Sequence, residues 1–311
     1  MPRDLHDLTA QLADERKCRL DDTSGEVQDP SVGQEQGQQY FALATMTLDG
    51  ELSLTVQSDV EFTIQSVVKP WIYATALVDH GDEVHESIGV EPTGEPFDAV
   101  VLEQETGKPP NPMVNAGALM SSALVSGHDA DERVARVLDV CSRAAGRQLA
   151  IDEQVASTEL EHGDRNRALG YLMRGGGMLP CPVEEAVEVL ARACAITVTA
   201  ADLATMGGTL AAWGRRPGST EQVLPAPVVT DVLSVMATCG MYDGSGHWIH
   251  RAGLPAKSGV SGGLMAVAPG TLGFGSYSPP LDDQGNSVRG LQAGERLSAS
   301  LRLHPFAPAD Q

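Results

Sequence analysis

Lysine is nearly absent from this chain. It occurs four times in 311 residues, at Lys17, Lys69, Lys108 and Lys257, although Lys and Arg together number 21. Arginine supplies most of the positive charge, so each lysine invites a specific explanation. Long apolar runs are lacking too: none reaches the roughly eighteen residues that a helix needs to cross a bilayer. The opening segment "MPRDLHDLTAQLADERKCRL" is charged and helical in pattern, without the apolar core of a secretory signal. The five cysteines, Cys18, Cys141, Cys181, Cys194 and Cys239, are odd in number and never spaced as CxxC. They read as reduced thiols of a cytoplasmic protein. Positive charge is outweighed by 42 acidic residues, giving a formal net charge of −21. Such a chain repels phosphate backbones, so nucleic acid is not expected as a partner; with no spanning apolar run, neither is a membrane.

What is present alternates in character along the chain. "QYFALATMTLDGELSLTVQS" is two β-rich runs joined at Asp49-Gly50, a hairpin signal. A helix candidate follows, then a Gly/Pro-rich stretch over about 89–117 that reads as a long ordered loop. From about 115 to 245 the periodicity is helical; "TAADLATMGGTLAAWG", for example, has Thr199 in capping position and stops at Gly214. "STELEHGDRNRALGYLMRGGG" reads as another helix. After about 250 short strands return between Gly and Pro, and the tail is again helical. The expectation is one α+β domain over 1–311. An antiparallel sheet is built from both chain ends (about 38–90 and 250–311), with helices packed on it and an all-helical subdomain inserted.

Three stretches could carry chemistry. In "FTIQSVVKPWIY", Ser66 and Lys69 share a helix face at i and i+3. A serine hydroxyl is a poor nucleophile until a base takes its proton, and a lysine kept neutral by apolar surroundings can be that base. Taken alone, SxxK is cheap: chance supplies about one in a chain of this length. Pro70 is tolerated only if the helix starts within a residue or two of Ser66. "AKSGVSGG" puts Lys257 and Ser258 on a glycine-flanked strand, similar to the third motif of SxxK acyl-transfer enzymes. "TCGMYDGSG" sets Tyr242 between glycines, where a phenol can relay protons. His247 and His250 of "HWIH" lack a third ligand at metal spacing and read as surface residues.

With these motifs in this order, joined by "GKPPNPMVNAGAL" and "TELEHGDRNRALGYLM", the sequence resembles the serine-dependent glutaminases of the β-lactamase/penicillin-binding-protein superfamily. The resemblance implies a β-lactamase/transpeptidase-like fold and hydrolysis of L-glutamine to L-glutamate and ammonia. Ser66 would be the nucleophile, Lys69 the base, and Tyr242 a proton relay beside them. Asn115, Glu159 and Asn166 would hold the amino-acid end of the substrate, the last two from successive turns of one helix face. The N–H groups of Ser66 and Val260 would form the oxyanion hole, and Lys257 would set local charge. No metal or organic cofactor is implied, and a homodimer or homotetramer is expected.

Two positions depart from the family pattern. A family tyrosine near the N-terminus has no counterpart in "GEVQDPSV", Gly25 to Val32, and a second is Leu190 here. Losing two substrate hydroxyl contacts weakens discrimination. An amidase, esterase or β-lactam-reactive hydrolase with another substrate is therefore an alternative, as is a catalytically weakened homologue that binds amino acids.

Overall fold

Asp49-Gly50 does make a hairpin: Gly50 takes φ 90° and lets Ala42–Thr47 fold back on Leu52–Leu54. The structure is a computed structural model that describes residues 5–28, 32–95, 100–103 and 106–308. In chain order, α1 (Leu5–Arg19), β1 (Glu26–Val27) and α2 (Gln34–Gly37) precede the hairpin strands β2 (Ala42–Thr47) and β3 (Leu52–Leu54). β4 (Phe62–Thr63) runs through a 3-10 turn, Gln65–Val68, into α3 (Lys69–His80), followed by α4 (Val84–Ser87). Then come α5 (Asn115–Leu124), α6 (Ala130–Ala145), β5 (Ala150–Ile151), α7 (Glu153–Glu161), α8 (Asp164–Gly175), α9 (Val183–Cys194) and β6 (Ile196–Val198). α10 (Ala200–Ala211), α11 (Ala226–Cys239), the 3-10 turn Tyr242–Gly244 and α12 (Ser245–Ala252) lead to β7 (Ala256–Ser258), β8 (Gly263–Ala268), β9 (Leu272–Tyr277), β10 (Pro280–Leu281) and α13 (Val288–Leu301).

The main sheet is antiparallel with order β3-β2-β9-β8-β7, so both chain ends build it as expected. Its side chains alternate with the pleat. Ala42, Ala44, Met46, Met265 and Val267 face the large core that includes α10 and the inserted helices. Leu43, Leu264, Phe274 and Ala266 face a second core with Leu8, Leu12, Trp248 and Leu297 from α1, α12 and α13. α10, opened by the Thr199–Asp202 capping box, lies directly on the strands. Glycine permits that approach: a Cβ on Gly273 would lie 2.0 Å from Gly208 N, and one on Gly275 2.2 Å from Ala200 O.

Three sequence expectations change. The insert is not all helix, because β5 and β6 pair with β4 in a small antiparallel sheet of order β4-β6-β5. The chain leaves α9 extended and satisfies its backbone on the strand leading to Ser66, which ties the insert to the turn that holds Ser66. The single helix expected across "STELEHGDRNRALGYLMRGGG" is two, α7 and α8, broken at His162-Gly163. The long loop ends earlier than 117, since Asn115 already begins α5; residues 96–99 and 104–105 of that loop lie outside the described residues.

Candidate active site

Ser66 lies in the 3-10 turn Gln65–Val68, and α3 begins at Lys69 with Pro70 in its first turn. The first N–H groups of a helix have no acceptor within it, so Pro70 sits where the missing donor costs little. The turn is sharp. Gln65 adopts φ 48°, a left-handed conformation uncommon for a non-glycine residue. Its side-chain amide donates to Glu159 Oε1 at 3.3 Å.

Lys69 is 1% exposed. Its Nζ donates to Met113 O at 3.2 Å and to Asn115 Oδ1 at 2.6 Å. Burial lowers its pKa to about 8. A neutral amine has two N–H bonds and one lone pair. With both N–H bonds directed at Met113 and Asn115, the lone pair is left to accept a proton. Asn111, which sequence reasoning passed over, builds this acceptor pair: its Oδ1 accepts the N–H of Met113 at 3.0 Å and of Val114 at 3.2 Å, and its amide donates to Glu91 O. The Asn-Pro dipeptide was the available signal for such a turn.

Tyr242 approaches from the other side. It too adopts a left-handed φ, 57°, and is 8% exposed. Burial pushes its pKa up to about 12, against a hydrogen bond with the Ser66 side chain that favours the phenolate. It is a neutral phenol at physiological pH, in contact with the Ser66 hydroxyl. Lys257 is fully buried; its Nζ lies 3.9 Å from the Tyr242 ring centroid and donates to Ser258 O at 2.7 Å. Burial first, then the nearby Lys69, hold this amine well below the ordinary lysine value.

Asn115 opens α5, Glu159 is exposed on α7, and Asn166 lies in the first turn of α8. Glu159 and Asn166 thus lie on different helices, not on one face. Asn166 Oδ1 is buried with no hydrogen-bond partner among the described residues, an acceptor awaiting a donor. Val260 follows β7 in the turn closed by the Gly262 N to Gly259 O bond. β7 and β8 both pack against the 3-10 turn that holds Ser66. Leu190 is buried in the large core and supplies no hydroxyl; the other missing tyrosine falls within 29–31, outside the described residues. A cavity of about 510 Å³ lined by Tyr73, His85, Glu91, Lys108 and Asp231 excludes Ser66, Lys69 and Tyr242, so the site is recognised by its buried chemistry and not by volume. Among the described residues, no cluster of three or more His, Cys, Asp or Glu is arranged to hold a metal ion, and no helix is long and apolar enough to cross a membrane.

A glutaminase family model matches residues 32–306. A glutaminase of Clavibacter michiganensis subsp. michiganensis is 48% identical over 305 residues, covering 97% of this chain and 91% of its own length. Among solved structures, the probable glutaminase ybaS superposes with TM-score 0.94 at 36% identity, over 98% of this chain and 100% of that one. Mglu in its glutamate form gives 0.92 at 40% identity, over 98% of this chain and 71% of that one. The chain belongs to the glutaminase family.

Proposed function

We propose that the protein hydrolyses L-glutamine to L-glutamate and ammonia through an acyl-enzyme on Ser66. The observation that carries this reading is buried Lys69, with its amine donating to Met113 and Asn115 and its pKa drawn down to about 8. The neutral amine takes the Ser66 proton as Oγ attacks the side-chain amide carbon. The N–H groups of Ser66 and Val260 stabilise the oxyanion; neither is taken by a backbone carbonyl among the described residues. Tyr242, hydrogen-bonded to Ser66, relays the proton to the leaving nitrogen. The C–N bond breaks and ammonia departs. Water then attacks the ester, its proton returns through Lys69, and the Ser66 hydroxyl is restored as glutamate leaves. No step calls for a metal or organic cofactor.

Glutamine as substrate is supported by the glutamate form of the Mglu neighbour and by the orphaned Asn166 acceptor. With exposed Glu159, Asn166 suits an α-ammonium group. Buried, apolar Leu190 favours a second reading, the same nucleophile acting on another amide, an ester or a β-lactam. The free cysteines suit a reducing cytoplasm. A homo-oligomer is supported by family resemblance and by Tyr171 and Leu172, 56% and 54% exposed beside each other on α8.

The test is ammonia release from millimolar glutamine, with asparagine, γ-glutamyl amides and a chromogenic β-lactam in parallel. Ser66→Ala is expected to lower kcat by about 10⁴-fold or more. Ser66→Ala protein that turns glutamine over like the wild type sinks the acyl-enzyme. Folded wild type that releases no ammonia from glutamine sinks the substrate.

A further inference from the structure

Ser258 has a backbone carbonyl in an unusual position. In an antiparallel ladder the residues of one strand point their N–H and C=O alternately at and away from the partner. β7 bonds to β8 through Pro255 O, which accepts Val267 N–H, and through Gly259 N–H, which donates to Gly263 O. Ser258 lies between bonded positions, so its carbonyl faces outward from the edge of the sheet. There it accepts Lys257 Nζ at 2.7 Å and the Tyr242 hydroxyl at 3.4 Å. One backbone oxygen therefore orients two of the buried groups around Ser66.

That oxygen is fixed from behind. The Ser258 side chain is fully buried and donates to Asn286 Oδ1 at 2.5 Å. Asn286 is 2% exposed and sits in the turn between β10 and α13. The turn is locked: Asp282 Oδ1 accepts the N–H of Gln284 at 3.0 Å and of Asn286 at 2.9 Å, and Asp282 N–H donates to Asn286 O. The next residue, Ser287, caps α13 and donates to Ser278 O at 2.7 Å. A rigid turn on the sheet body thus reaches Tyr242 and Lys257 through one side-chain hydrogen bond.

We propose that Asn286 is a positioning residue for the reaction, setting the Tyr242 hydroxyl and the Lys257 amine against Ser66 through its hydrogen bond to Ser258. The proposal rests on the assignment of Ser66, Lys69 and Tyr242 made above. Asn286 sits behind the strand and contacts no reacting atom, so its effect falls on proton transfer and spares the holding of the amino-acid end. Asn286→Ala is expected to lower kcat by about tenfold or more while KM stays within about threefold, because a small misplacement of a reacting group costs rate steeply. The pH profile of kcat/KM shifts, since Lys257 and Tyr242 change their contacts. Asn286→Asp keeps an acceptor oxygen and restores kcat. Ser258→Ala removes the same bond from its other end, and Ser258→Ala with Asn286→Ala costs no more than either alone.

The measurement is steady-state kinetics against pH on the full chain, each variant compared at equal folded fraction by circular dichroism. Ser258→Ala carries the test should Asn286→Ala not fold. Wild-type kcat and pH profile in these variants, with Ser66→Ala inactive, overturn the positioning role alone. A loss that Asp does not restore, or that adds in the double variant, overturns it as well. An active Ser66→Ala overturns the catalytic assignment on which it stands.

Discussion

Lys69 and Lys257 are two amines in one dry site, and neither has a carboxylate among its hydrogen-bond partners. Desolvation disfavours the charged form of each, and Lys69 further disfavours charge on Lys257. The outcome is a site that releases protons at a pH where an exposed lysine still holds them. For Lys69 the folded value of about 8 lies below the ordinary 10.5. Below pH 8 its burial costs stability, and the cost fades as pH rises from 8 towards 10.5. The same sign governs catalysis, because only the neutral amine is a base. The kcat/KM for glutamine is expected to rise through an apparent pKa near 8. A stopped assay for ammonia from pH 6 to 10 checks this, and a flat or falling profile between pH 7 and 9 contradicts it. Ser66 and Lys69 were legible as a pair because their spacing is local. The amine's acceptors were not, since Met113 and Asn115 lie 44 and 46 residues further along.

Among the elements, the turns around the site are strained and the sheet behind them is tightly filled. Gln65 and Tyr242 both hold left-handed backbone conformations, each at a cost on the order of 1 kcal/mol. α10 packs closely on β9. There a substitution tests the fold directly. Gly275→Ala would place a methyl 2.2 Å from Ala200 O and 2.5 Å from Ala204 N, both backbone atoms that cannot rotate away. The expected loss is about 3 kcal/mol or more, seen as a lower Tm by calorimetry. A Tm equal to the wild type's would mean that α10 does not lie on the strand as described. Element identity was largely readable: β-rich runs on either side of Asp49-Gly50 marked β2 and β3, and Thr199 marked the start of α10. The α7–α8 break was harder, because apolar periodicity continues across Gly163, and glycine inside a helical pattern does not announce a new direction.

At the scale of the molecule, charge dominates. A formal charge of −21 sets the surface against itself. Arginines answer in scattered pairs, such as Arg133–Glu185, Arg143–Glu221 and Arg192–Asp131. Partly exposed pairs of this kind are individually worth at most about 1 kcal/mol. Screening the net repulsion therefore gains more than screening the pairs loses, and Tm is expected to rise between about 0.01 and 0.5 M NaCl, where the Debye length falls from about 30 Å to a few ångströms. A fall in Tm across that range, by differential scanning fluorimetry, would mean that the pairs outweigh the repulsion. The sequence by itself determined the Asp49-Gly50 hairpin, the Thr199 helix start, the Ser66–Lys69 face and the motifs in their order. Each depends on neighbours within a few residues, where backbone geometry leaves few choices. Only the tertiary structure decided that Lys69 is buried against Met113 and Asn115, that Tyr242 meets the Ser66 hydroxyl, that Glu159 and Asn166 come from two helices, and that Asn286 braces Ser258. Those contacts join distant segments, and their energies come from desolvation and packing that no local pattern encodes.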